Sequence, residues 1–61
     1  MSFRTARERA GLRAAEVAAA IGVSCAAVYY WEDGTAKPTT DNLIKLSKLY
    51  GCTIDDLLKE E

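Results

Sequence analysis

The stretch VAAAIGVSCAAVYYWEDG, residues 17–34, contains two short apolar-patterned blocks separated by a glycine and a serine. Within it, Ala18, Gly22 and Val28 are spaced by four and then six residues. Two helices that cross closely need a small residue at the crossing and a turn residue that tolerates positive φ. They also need a buried β-branched residue on the second helix. Those three residue types stand here in that order, so the stretch predicts a helical pair over about residues 14–33. Ser24 is a good N-cap for the second member, about 25–32, and Gly34 is placed to end it. With Val28, Trp31 and Glu32 turned inward, the outward side chains of that helix are Cys25, Ala26, Tyr29 and Tyr30.

Working outward, glycines at 11, 22, 34 and 51 divide the chain into five blocks. Ser2 can cap a first helix over about 3–10, with Phe3, Ala6, Arg7 and Ala10 inward at i, i+3, i+4, i+7 spacing. The alanine-rich second block presents Val17, Ala18 and Ile21 as its apolar face. Thr39 follows Pro38 and caps a fourth helix over about 40–50, with Leu43, Leu46, Leu49 and Tyr50 inside. Thr53 opens a short fifth helix with Asp56 three residues later, close to a capping box, and Ile54, Leu57 and Leu58 inward. No segment alternates with period two between hairpin turns. The fold expected is all-α, one compact five-helix domain spanning residues 1–61.

Composition narrows the classes. A chain of 61 residues buries only about 60 % of the surface it exposes when unfolded, so its stability is modest. The start MSFRTARERAG carries charges where a signal peptide needs an apolar run, and no apolar stretch approaches the ~18 residues of a membrane span. A cytoplasmic location is expected, with no membrane partner. Cys25 and Cys52 are too few for a disulfide framework, and without histidine they cannot complete a structural zinc site, so both read as reduced thiols. The formal net charge of −1 conceals an asymmetry. Residues 1–31 carry four arginines against Glu8 and Glu16, whereas residues 32–61 carry four lysines against seven acids. An anionic partner should therefore meet the first half.

The flanks of the helical pair resemble the phage-repressor and Cro-like helix-turn-helix family. Its members run approximately R-x-x-x-G-L-(T/S)-Q-x-x-L-A-x-x-x-G-(V/I)-S, then (I/V)-x-x-(W/Y/L)-E-x-G-x-x-x-P, then a leucine-bearing helix and a G-V-S-(L/I)-x-x-L-L ending. The matching residues here are Arg7, Gly11, Leu12, Val17, Ala18, Gly22, Val23 and Ser24, then Val28, Trp31, Glu32, Gly34 and Pro38. Leu43, Leu46, Gly51, Thr53, Ile54, Leu57 and Leu58 complete the series. The resemblance covers almost the whole chain without gaps. It implies a lambda-repressor-like DNA-binding domain in which Ala18, Gly22, Val28 and Trp31 are structural. It also implies an Arg7–Glu32 pair between the first and third helices. Both residues lie on otherwise apolar faces, where leaving either one buried alone would cost about 3–5 kcal/mol.

The resemblance further implies that the third helix enters the major groove of double-stranded DNA, and two departures bear on how. Cys25, Ala26, Tyr29 and Tyr30 stand where relatives commonly carry bidentate base readers, so readout leans on methyl contacts and DNA shape. At the start of the second helix, Arg13 and Ala14 replace a Thr/Ser cap and a phosphate-binding Gln. The candidate phosphate contacts are Arg13, Ser24, Thr35 and Lys37. The functional expectation is a transcriptional regulator, a repressor in type, acting as a homodimer on an approximately palindromic operator. The competing expectation is a helix-turn-helix module that binds protein, as an antirepressor or assembly factor, because the third-helix face is aromatic and the chain is acidic overall. No histidine, phosphate-binding glycine loop or nucleophile–base motif supports an enzyme, and no metal, cofactor or small-molecule ligand is implied.

Overall fold

The computed structural model describes residues 1–59, so the last two positions of the expected 1–61 domain lie outside the described residues. Five helices follow in order: α1 (Phe3–Arg9), α2 (Ala14–Ile21), α3 (Cys25–Asp33), α4 (Thr40–Tyr50) and α5 (Ile54–Leu58). There is no strand among the described residues.

Four of the five helix starts are fixed by a side-chain cap. The hydroxyls of Ser2, Ser24, Thr39 and Thr53 accept from the amides of Thr5, Ala27, Asn42 and Asp56, three residues on in each case. Each such cap is worth about 1 kcal/mol. The second helix starts differently. Arg13 supplies no side-chain cap, and the Glu16 carboxylate instead accepts from the Arg13 amide at 2.9 Å. That bond satisfies an otherwise orphaned donor and sets an acid in the first turn, where the helix dipole favours it.

The turn between α2 and α3 depends on Gly22 at φ 78°. With that residue left-handed, the amides of Gly22 and Val23 both reach the Ala18 carbonyl, at 2.9 and 3.0 Å. The chain then turns by 113° into α3, within the range of helix-turn-helix crossings. Gly34 is likewise left-handed, at φ 84°, where α3 ends.

The core sits where α2 packs on α3 and α4, and α1 closes over α3 and α4. Val17, Val28 and Leu46 are fully buried, surrounded by Ala6, Ala14, Ala18, Ile21, Trp31, Tyr50 and Leu57. Full burial of one such aliphatic side chain stabilises by about 1.5–3 kcal/mol. Small residues at 6, 14 and 18 let the helices approach, giving a body 24 × 23 × 19 Å.

Several expected faces are corrected. The first helix stops at Arg9, so Ala10 is its exposed C-cap rather than an inner residue. Leu58 is 58 % exposed because α5 is too short to turn two adjacent leucines inward, and Leu57 takes the core position. Phe3, Leu43, Leu49 and Ile54 are half-buried at the core's edge, and α3 runs one residue further than expected.

Candidate nucleic-acid interface

The scaffold of the site is the ion pair between α1 and α3. Arg7 Nε donates to Glu32 Oε2 at 2.6 Å and Arg7 Nη2 to Oε1 at 3.0 Å, a two-point contact. The remaining Arg7 nitrogen, Nη1, donates to the Leu12 carbonyl at 3.1 Å. The side chains are 11 % and 5 % exposed. The Glu32 hydrogen bond holds the guanidinium firmly charged, against the opposing effect of burial. Tyr50 closes the same region, and burial pushes its phenol up to about 12, with the Glu32 charge acting in the same sense. Glu32 therefore faces inward, one position after buried Trp31, and fixes the rotation of α3 against α1.

That rotation leaves Cys25, Ala26, Tyr29 and Tyr30 exposed along one side of α3. The two tyrosines are about half exposed, at 48 % and 49 %. Ala27 and Val28 between them are half-buried and buried. The displayed face offers one small thiol, one methyl group and two phenols. Phenols can bond to phosphate or to a base edge, and a methyl group can touch thymine C5.

The phosphate candidates lie at two helix starts and in the segment after α3. Arg13 lies at the N-terminus of α2, and Ser24 at that of α3, where its hydroxyl is engaged with the Ala27 amide. Thr35 and Lys37 are exposed in the segment after α3. Ala14, in the position of the missing glutamine, is 2 % exposed and belongs to the core.

Two features lie outside the expectations drawn from the sequence. Asp33 closes α3 with its carboxylate accepting from the Thr35 amide at 2.8 Å. Hydrogen bonds from the Thr35 side chain and backbone hold that carboxyl below its ordinary range. An acid therefore stands beside Thr35, at the carboxyl end of the displayed helix. Arg4 is the second feature. It lines a small cleft of about 280 Å³ with Tyr29, Glu32 and Asp33. Asx-type spacing in Asp33-Gly34-Thr35 could have signalled the first. Nothing in the local sequence marks the second.

Apart from the outward face of α3, Phe3, Trp31, Pro38, Leu43, Leu57 and Leu58 wall an open groove of about 520 Å³, with Lys37 and Lys59 at its sides. Burial pushes the half-buried Cys52 thiol up, and Asp56 adds to the shift, whereas Cys25 is exposed. Among the described residues no cluster of metal-binding side chains occurs, and no single helix is long and apolar enough to cross a membrane.

Comparison with known proteins gives consistent matches. The helix-turn-helix family model matches residues 3–57. Repressor protein C2 of Salmonella phage P22 is 38 % identical over 57 residues, 93 % of this chain and 26 % of that protein. The chain thus spans about a quarter of the length of this curated relative. The crystal structure of the P22 c2 repressor protein in complex with synthetic operator 9T in the presence of Tl+ superposes with a TM-score of 0.87 and 36 % identity. The superposition covers 97 % of this chain and 89 % of that one.

Proposed function

From the premise that this chain belongs to the helix-turn-helix family, we propose that it is a sequence-specific DNA-binding transcriptional regulator. Its type is a repressor that sets α3 into the major groove of an operator half-site. One observation carries the reading: the P22 repressor that shares this fold is bound to operator DNA, and here α3 has an uncovered outer face. On this reading Cys25, Ala26, Tyr29 and Tyr30 meet the groove, and Arg13, Ser24, Thr35 and Lys37 meet phosphates.

The same reading gives a cytoplasmic homodimer on double-stranded DNA. Half-sites one helical turn apart set the two recognition helices about 34 Å apart. A second copy at that spacing stands beside the first, so the dimer needs a contact surface on each copy. The groove edged by exposed Leu58 and half-buried Leu43 and Pro38 is the apolar surface suited to that contact.

A second reading has its own observation. The displayed helix carries two half-exposed tyrosines and no bidentate base reader, a composition more typical of protein interfaces than of DNA interfaces. Selection of bound duplexes from a randomised pool separates the two. Enrichment of an approximately palindromic sequence supports the repressor. No enrichment, together with no retardation of duplex by micromolar protein at low salt, refutes it in favour of a protein partner.

A further inference from the structure

Glu32 divides the two arginines on the inner and outer sides of α1. Its oxygens are committed to Arg7, at 2.6 and 3.0 Å, whereas Arg4 Nε reaches Oε1 only at 3.8 Å. Arg7 is thereby neutralised and buried. Arg4, one turn earlier, keeps a side chain that is 65 % exposed, with its guanidinium donors turned largely to solvent. At 3.8 Å, and with Glu32 already bonded twice to Arg7, that contact contributes little and does not fix the exposed Arg4 side chain.

Arg4 also lies beside the displayed face. It borders the same solvent-open cleft as Tyr29, one of the four outward residues of α3, although it belongs to a different helix. We infer that Arg4 is a DNA-backbone contact supplied by α1, its guanidinium holding a phosphate at the edge of the groove that α3 enters. This rests on the DNA-binding reading above. A guanidinium suits the task because its planar donors match two phosphate oxygens at once. Two carboxylates face the cleft. Glu32 is balanced by Arg7, and Asp33 is drawn toward the Thr35 amide at 2.8 Å. The inference changes the expected footprint: the flank of α3 next to α1 touches the backbone, in addition to the helix starts and the segment after α3.

The test compares Arg4→Ala with Arg9→Ala, which removes an equal charge from the exposed end of α1, on a duplex recovered by selection and on an unrelated duplex. Arg4→Ala should weaken both duplexes by the same factor, about eightfold at 0.1 M salt, and flatten the salt slope by about 0.9. Arg9→Ala should leave the slope at its wild-type value, and circular dichroism melting should show both variants folded. Normal wild-type binding with an unchanged slope in Arg4→Ala would overturn this inference alone, as would equal effects from the two substitutions. Wild-type protein that binds no duplex would overturn the parent reading and the inference with it.

Discussion

Replacing Arg7 with alanine leaves the Glu32 carboxylate in a pocket where its side chain is only 5 % exposed. Both charge-assisted bonds are lost, and the Leu12 carbonyl loses its partner as well. Breaking one side of such a pair costs about 3–5 kcal/mol, chiefly because the remaining charge is left unbalanced. At the usual 0.05–0.15 kcal/mol per residue, a domain of this length holds only about 3–9 kcal/mol in total. The substitution should therefore remove at least about a third of the stability, and lower the melting temperature by at least about 12 °C. Urea unfolding followed through Trp31, the single tryptophan and 8 % exposed, measures it directly. The double variant Arg7→Met with Glu32→Leu removes both charges and keeps most of the volume, so it should recover the greater part of the loss. Arg7→Ala within about 1 kcal/mol of wild type, or a double variant no more stable than the single one, would refute the reasoning.

Other outcomes follow from the same geometry. Tyr50, with its phenol raised to about 12, stays neutral in the folded chain while the unfolded chain ionises near pH 10. Its contribution is fully present below pH 10 and is lost as pH rises toward 12. Tyr50→Phe should therefore show a shallower alkaline fall in stability, the difference reaching up to about 3 kcal/mol; parallel pH profiles would contradict this. Gly22→Ala places a Cβ in open space but at φ 78°, so it should cost about 1–2 kcal/mol from backbone strain alone, with asparagine less harmful than alanine. Brief treatment with iodoacetamide at pH 8 should modify exposed Cys25 well before half-buried Cys52, whose thiol is shifted upward. Mass mapping of the two peptides checks the order.

The helix order was readable because its signals are local. Ser2, Ser24, Thr39 and Thr53 each cap within three residues, and left-handed Gly22, Gly34 and Gly51 end the helices they follow. The buried α2–α3 crossing was readable because periodicity constrains it. Leu58 was misplaced for the opposite reason: in a five-residue helix, packing against the neighbouring elements decides which of two adjacent leucines is covered. The Arg7–Glu32 contact spans 25 residues, and only the resemblance together with two apolar faces brought its partners together. Arg4 could not be found this way. On α1 it resembles any solvent-facing arginine, and only the packing angle of α1 on α3 sets it beside Tyr29. Asp33 likewise acquires its position next to Thr35 from the turn rather than from its helix.

The most direct measurement is a titration of isotopically labelled protein with a selected duplex, followed by backbone amide and Trp31 indole shifts in nuclear magnetic resonance. Shifts concentrated at Ser24 to Tyr30, with further changes at Arg4, Arg13, Thr35 and Lys37, are expected. Shifts centred on the Leu43, Leu57 and Leu58 groove, with α3 unmoved, would contradict DNA recognition by the third helix.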